Sequence, residues 1–159
     1  MASEVRFFTL TEAQRTLPLV RRIVEDLVAA YPQLQERVEA YNALVRGHAP
    51  VPETRAAREA LDRKAARVDA FLRELAQVGC LFKGFEEGLL DFLAHYRGRT
   101  IYLCWKLGEP EIAWWHELDT GYAGRQPITE PMARALDRLP GATTAADGAR
   151  RRRRPQPPR

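Results

Sequence analysis

The chain has few residues of the types that define membrane, fibrous and disulfide-bonded proteins. Only two of its 159 residues are cysteine, and Cys80 and Cys104 form no CxxC pair. No apolar run reaches the roughly 18 residues of a spanning helix, and the opening MASEVRFFTL lacks the layout of a secretory signal peptide. We therefore expect a cytoplasmic protein with no membrane partner and no disulfide framework.

Positive charge is scarce outside the C-terminal end. The formal net charge is +4, yet residues 141–159 hold six arginines against the single acid Asp147. Residues 1–140 are consequently close to neutral, so we expect no nucleic-acid partner except weak attachment through the arginine run at 150–154. The composition predicts one folded domain over residues 1–140, followed by a disordered Arg/Pro-rich tail over residues 141–159.

Apolar residues in the first third of the chain repeat at alternating spacings of three and four, which indicates a heptad seam on a helix. The capping-box residues Thr9 and Glu12 predict its start, and Gly47 predicts its end. Pro18 and Pro32 lie inside the pattern and predict bends, or a break near Tyr31. The seam consists of Leu17, Val20, Val24, Leu27, Tyr31, Leu34, Val38, Tyr41 and Val45.

A second helical stripe runs from about residue 53 to 78, and Gly79 is its expected left-handed cap. The short connector HAPVPE predicts that the two helices form an antiparallel hairpin. Further apolar residues lie beside the stripes, such as Ile23 and Val28 beside the first. They make the apolar band wider than one partner helix can cover. Either a sheet of the same chain covers the excess, or two copies form a homodimer through a four-helix coiled-coil arrangement.

The periodicity changes to two after Gly88, and the segments GLLDFLAHY, RTIYLCWKL and EIAWWHEL predict three strands. The overall expectation is an α+β fold, with the hairpin packed on a small three-stranded antiparallel sheet and a short C-terminal helix capped by Thr129. A two-residue turn at Arg97-Gly98 places Asp91 opposite Cys104. A turn over residues 107–110 places Trp114 beside Leu103 and Trp115 beside Tyr102.

These registers assign the residues of the three strands to two faces of the sheet. The predicted core face consists of Leu90, Phe92, Ala94, Ile101, Leu103, Trp105, Ile112 and Trp114, with His116 at its end. The opposite face consists of Asp91, Leu93, His95, Thr100, Tyr102, Cys104, Ala113, Trp115 and Glu117. This mixture of aromatic and ionisable side chains is typical of a partly covered ligand or partner surface.

Three segments carry a resemblance to a known family. The opening FTLTEAQRTLP, the run GLLDF at residues 88–92 and the block LCWKLGEPEIAWWHELDTGYAGRQPI at residues 103–128 resemble a bacterial family catalogued as domain of unknown function 2203. The resemblance spans about residues 7–128 and departs from the family pattern at Gly84 and Leu93. It implies a small bacterial protein without an assigned activity.

The predicted mixed face lacks a complete catalytic constellation. The Asp91 carboxylate opposes ionisation of the Cys104 thiol, and His95 lies roughly 13 Å farther along the face. His95 and Glu117 are too few ligands for a metal site, because His116 is predicted to point to the other face. Arg125 follows two glycines, and it either holds a ligand anion or pairs with a local acid, which is Asp91, Glu117 or Asp119.

We therefore predict no catalytic residues, no metal and no cofactor. The predicted function is a non-catalytic interaction or ligand-binding module with an unknown small-molecule or protein partner, homodimeric through its helices. The alternative is a small metal-assisted enzyme that uses Asp91, His95, Glu117 and Arg125, so whether the protein is an enzyme stays open. The candidate ligand-binding residues are Asp91, His95, Tyr102, Cys104, Trp115, Glu117 and Arg125.

Overall fold

The structure is a computed structural model, and it describes residues 5–138. Its first two elements are the long helices α1, Leu10–Arg46, and α2, Val51–Val78. They are joined by a short connector and packed against an antiparallel sheet, so the predicted helical hairpin is confirmed. The predicted tail at residues 141–159 lies outside the described residues. No helix among residues 5–138 is both long enough and apolar enough to cross a membrane.

Helix α1 is one continuous element of 37 residues, although Pro18 and Pro32 lie inside it. The predicted break near Tyr31 is therefore wrong. A proline inside a helix costs about 3 kcal/mol, and burial of the apolar side chains of the helix opposes that cost. Tyr31 also stacks on Phe85, with ring centroids 4.0 Å apart. The predicted capping box of Thr9 and Glu12 is present.

The sheet has five strands, not the predicted three, in the order β1-β2-β3-β4-β5. The strands are β1 Leu81–Gly84, β2 Leu89–Tyr96, β3 Arg99–Lys106, β4 Trp114–His116 and β5 Gln126–Pro127. Each pairs antiparallel with its neighbour. The two added strands escaped prediction because runs of four and two residues are too short to show an alternating pattern. The short C-terminal helix is confirmed as α3, Glu130–Leu136.

The register of β2 on β3 follows the prediction, with Asp91 opposite Cys104 and Phe92 opposite Leu103. The register of β3 on β4 differs by one residue, because Leu103 lies opposite Trp115 and Cys104 opposite Trp114. A shift of one residue turns each side chain of a strand to the other face. Trp115 therefore belongs to the core, and Trp114 and His116 belong to the opposite face.

Contacts from α1 and within the loop explain this register. The Gln14 side chain donates to the Ile112 carbonyl oxygen at 2.9 Å and accepts from the Ile112 amide at 3.0 Å. Arg21 donates to the Pro110 carbonyl oxygen at 3.0 Å. The Trp105 indole donates to the Glu109 carbonyl oxygen at 2.9 Å. The connection between β3 and β4 therefore spans residues 107–113 and is longer than the predicted turn.

The core lies between the sheet and the first half of α1. Seven of the eight aliphatic and aromatic residues predicted for the core face are buried, and Trp115 takes the place predicted for Trp114. The buried residues of α1 are Ala13, Leu17, Val20, Ile23, Val24, Leu27 and Ala30. The sheet thus covers the first half of the α1 seam. Beyond Ala30 the seam residues are half-buried or exposed in the described chain.

Candidate functional site

Three buried polar side chains converge on the sheet face opposite the core. Asp91 of β2, Cys104 of β3 and His116 of β4 lie on neighbouring strands, and one possible ligand atom from each lies within 4.8 Å of the others. Their exposed fractions are 4%, 1% and 3%. Because burial of unpaired polar groups is costly, such a cluster requires internal partners or a bound ligand.

The His116 ring lies between two groups that accept hydrogen bonds. Its Nδ1 is 2.7 Å from the Glu117 carbonyl oxygen, and its Nε2 is 3.2 Å from both carboxylate oxygens of Asp91. The carbonyl oxygen can only accept, so Nδ1 carries a proton and donates it. A neutral ring then presents the Nε2 lone pair to the Asp91 carboxylate. A cation at Nε2, either a proton or a metal ion, removes that repulsion.

The Cys104 thiol is the third member of this Asp91–Cys104–His116 cluster. Burial, followed by the charge and hydrogen bonding of Asp91, raises the pKa of Cys104 to about 12. The Arg125 guanidinium lies close enough to oppose that rise. A thiol in this environment stays protonated near neutral pH unless a cation stabilises the thiolate.

Arg125 is held beside Cys104 by two aromatic rings and one acid. Its guanidinium carbon lies 4.8 Å from the ring centroids of Trp114 and Tyr122. It forms an ion pair with Glu109, and only 9% of its side chain is exposed. The Nη1 atom is buried without a hydrogen-bond partner among residues 5–138. This nitrogen is a buried donor next to the cluster.

A cavity of about 250 Å³ opens over the cluster. Asp91, Cys104 and His116 all contribute to its surface. The lining is completed by Lys83, Leu89, Tyr102, Leu118, Gly121 and Tyr122. The three residues of the cluster therefore line one cavity.

The donor set fits a transition-metal ion. Histidine nitrogen, cysteine sulfur and carboxylate oxygen are ligands that Zn²⁺ accepts in proteins, and three protein ligands leave a fourth tetrahedral position. Metal–ligand bonds of about 2.0–2.3 Å put neighbouring donors about 3.5 Å apart. Side-chain movements of about 1 Å would thus bring the three donor atoms within bonding distance of one ion. The hydrogen bond of Nδ1 to a carbonyl oxygen is typical of a metal-binding histidine.

The sequence model of a family described as an uncharacterised conserved protein, DUF2203, matches residues 6–128. The chain belongs to this family. The resemblance seen in the sequence is thereby confirmed. The DUF2203 region contains all three members of the cluster and every residue that lines the cavity. No curated protein and no solved structure matches the chain.

Three of the seven predicted ligand-binding residues line the cavity of this DUF2203 chain. Asp91, Tyr102 and Cys104 share it, and Arg125 lies beside Cys104. The predicted internal alternative for Arg125 was a bridge to Asp91, Glu117 or Asp119, but its acid partner is Glu109.

Three other predicted residues lie elsewhere. Trp115 is 8% exposed and lies in the core, because of the shifted β3–β4 register. His95 stacks on Phe7, with ring centroids 3.8 Å apart. Glu117 pairs with Arg99 at 2.9 Å, so neither His95 nor Glu117 joins the Asp91–Cys104–His116 cluster.

His116 is the residue of this DUF2203 site that sequence reasoning missed. The assumed four-residue turn placed it on the core face, and the longer connection places it beside Asp91. Lys83 was missed as a lining residue because β1 was not predicted. The sequence contained a signal, because His116 is a polar residue that the predicted register placed at the end of an otherwise apolar core face.

Proposed function

We propose that this protein is a metal-dependent ligand-binding module that holds a divalent transition-metal ion at the Asp91–Cys104–His116 cluster. The observation that carries the proposal is the position of the His116 ring, whose Nδ1 lies 2.7 Å from the Glu117 carbonyl oxygen and whose Nε2 lies 3.2 Å from both carboxylate oxygens of Asp91. Zn²⁺ is the expected ion, because the donors are one nitrogen, one sulfur and one oxygen.

Electrostatics supports a cation at this position. The Asp91 carboxylate and the Cys104 sulfur, which is anionic as a metal-bound thiolate, converge with a ring nitrogen of His116 at buried positions beside the cavity. A divalent ion compensates both negative charges, and it deprotonates a coordinating thiol outright. Metal binding therefore releases a proton from Cys104 and strengthens as the pH rises.

Arg125 supports the same proposal from outside the ligand set. Its buried Nη1 has no partner in the described chain, and the guanidinium lies beside the Cys104 thiol. A metal-bound thiolate is a stronger acceptor than a thiol, so it would satisfy this donor. Hydrogen bonds of this kind to metal ligands orient them and tune the metal.

A metal-assisted enzyme is the second candidate, and the fourth coordination position favours it. Such a position can hold a water that a metal ion acidifies. Of the residues predicted for the enzyme, Asp91 would hold the metal, whereas His95 and Glu117 are engaged in other contacts. Turnover of p-nitrophenyl acetate that requires Zn²⁺ and disappears in His116→Ala would favour the enzyme over the binding module.

Metal analysis of the purified full chain tests the proposal. We expect one tightly bound ion per chain after dialysis against Zn²⁺. His116→Ala and Cys104→Ser should each lose it, because each removes one of three ligands. His95→Ala is the matched control, since it removes an imidazole of the same sheet face and should retain the ion. Absence of stoichiometric metal from the wild-type protein, or equal loss in His95→Ala, would overturn the proposal.

Self-association through the helices remains part of the proposed function. The second half of the hairpin supports it, because the seam residues Val38 and Val45 are 39% and 49% exposed. A second hairpin would cover this stripe in a four-helix arrangement. The free thiols of Cys80 and Cys104 support a reducing, cytoplasmic location.

A further inference from the structure

We propose that the fourth coordination position of the metal site takes a small organic carboxylate, which the Lys83 ammonium recognises at the mouth of the cavity. This inference rests on the metal binding proposed above. It adds the chemical class of the ligand and a residue that selects it.

The charges around the cavity favour an anion. A bound divalent ion neutralises the Asp91 carboxylate and the Cys104 thiolate. Two acids close to the cavity are already paired, Glu117 with Arg99 and Glu109 with Arg125. Lys83 takes part in none of the ion pairs within residues 5–138. Among the residues that line the loaded cavity, the Lys83 ammonium therefore stays without a negative partner, which favours an anionic ligand.

The position of Lys83 makes it suitable for recognition. Its Nζ lies 5.2 Å from the centroid of the Tyr102 ring, and both residues line the cavity. The ring is a favourable contact for the ammonium, and Lys83 is exposed to solvent at the cavity. A carboxylate with one oxygen on the metal ion can then accept a charge-assisted hydrogen bond from Lys83.

The walls and the volume favour an organic anion of a few carbon atoms. Leu89 and Leu118 supply aliphatic surface, and Tyr102 and Tyr122 supply aromatic rings. A volume of about 250 Å³ corresponds to roughly eight waters at about 30 Å³ each. Inorganic phosphate would leave these apolar walls without contacts.

Cobalt substitution tests this inference with a spectroscopic readout. The full chain is loaded with Co²⁺, whose thiolate charge-transfer and d–d bands report on the ligand set. Sodium butyrate should change the d–d bands in a saturable manner, because it enters the coordination sphere. Butyramide, which has nearly the same shape without the charge, should leave them unchanged.

Substitution of the lysine identifies its role. Lys83→Met should leave the Co²⁺ spectrum without butyrate unchanged and weaken butyrate binding by about tenfold, the effect of one charge-assisted hydrogen bond. Lys64→Met is the matched control, because Lys64 lies on α2 and contacts Gln33. It should retain the wild-type butyrate affinity.

The outcomes separate the inference from the function on which it rests. A protein without the thiolate–Co²⁺ band would overturn metal binding and the inference together. A normal band that does not respond to butyrate would overturn the inference alone. Equal binding of butyramide, tighter binding of inorganic phosphate, or an unchanged butyrate affinity in Lys83→Met would each overturn recognition of a carboxylate by Lys83.

Discussion

Trp115 lies directly opposite Leu103 on adjacent antiparallel strands, so its indole points into the core between sheet and helix. The same pairing turns its neighbours Trp114 and His116 to the other face. Trp114 then lies under the Arg125 guanidinium, and His116 contacts Asp91. The register of one short strand thus determines both the core and the candidate metal site.

Alanine substitution of the two tryptophans tests this register. Trp115→Ala should lower the free energy of unfolding by about 3–5 kcal/mol, as large-to-small changes in a core do. Trp114→Ala should cost clearly less, because that side chain is only partly buried and its main contact is with Arg125. Urea unfolding followed by circular dichroism measures both values. A larger loss in Trp114→Ala would contradict the register.

Local sequence signals predicted the helical hairpin and the pairing of β2 with β3. The capping box at Thr9, the left-handed Gly79 and the two-residue turn at Arg97-Gly98 each act within a few residues, so a pattern can reveal them. The face assignment of β2 and β3 followed from that turn. It correctly placed Asp91 opposite Cys104, which is two-thirds of the cluster.

The position of β4 could not be predicted in the same way. Its register depends on Gln14 and Arg21 of α1, which hold the preceding loop by hydrogen bonds across about 90 residues of sequence. A rule based on residue spacing cannot reveal a contact between residues so far apart in the sequence. The assumed tight turn therefore moved His116 to the wrong face, and with it the third ligand of the cluster.

The two cysteines should be unreactive in the folded protein. Burial raises the pKa of Cys80 to about 12, and burial followed by Asp91 does the same for Cys104. In the metal-free protein the thiolate fraction of each cysteine at pH 8 is then about a thousandfold below that of an ordinary thiol. Mass spectrometry after brief exposure to iodoacetamide should find neither residue alkylated in buffer and both alkylated in urea. Rapid labelling of native Cys80 would contradict its burial.

The raised pKa of Cys80 also predicts how stability depends on pH. In the folded protein this thiol keeps its proton up to pH of about 12, whereas in the unfolded chain it ionises near the ordinary value of 9.0. The stability that the protonated thiol contributes is therefore complete below pH 9 and is lost as the pH rises toward 12. Within that window the wild type should lose about 1.4 kcal/mol per pH unit more than Cys80→Ala. Urea titrations measure the unfolding free energy at each pH. If it fell equally with pH in the wild type and in Cys80→Ala, the thiol would ionise in the folded state.

Sedimentation tests the proposed self-association. At micromolar concentration we expect about twice the chain mass of 18.1 kDa. The double variant Val38→Glu/Val45→Glu should sediment as a monomer, because it places charges on the exposed seam. Ala43→Glu is the control, since position 43 lies on the opposite side of the helix and the dimer should persist. A wild-type monomer at every concentration would show that the hairpin does not pair.

Gly88 fixes the distance between the sheet and α1, so an added methyl group there should be costly. Its φ is +63°, and a Cβ would lie 2.7 Å from the Cβ of Leu107 and 2.9 Å from a methyl group of Val24. Both neighbours belong to the packed interior, where overpacking costs about 1–3 kcal/mol. The left-handed backbone adds about 1–2 kcal/mol for any residue with a side chain. We expect Gly88→Ala to lose about 3 kcal/mol of unfolding free energy.

Gly98→Ala separates these two effects. Gly98 has a similar φ of +77°, but a Cβ there would meet nothing within 4 Å. This variant should therefore lose only the backbone part, about 1 kcal/mol. Urea unfolding of the two variants side by side isolates the contact of Gly88 with α1. If both lost the same free energy, the close approach of Val24 and Leu107 would contribute nothing, and the helix would not be held to the sheet at this point.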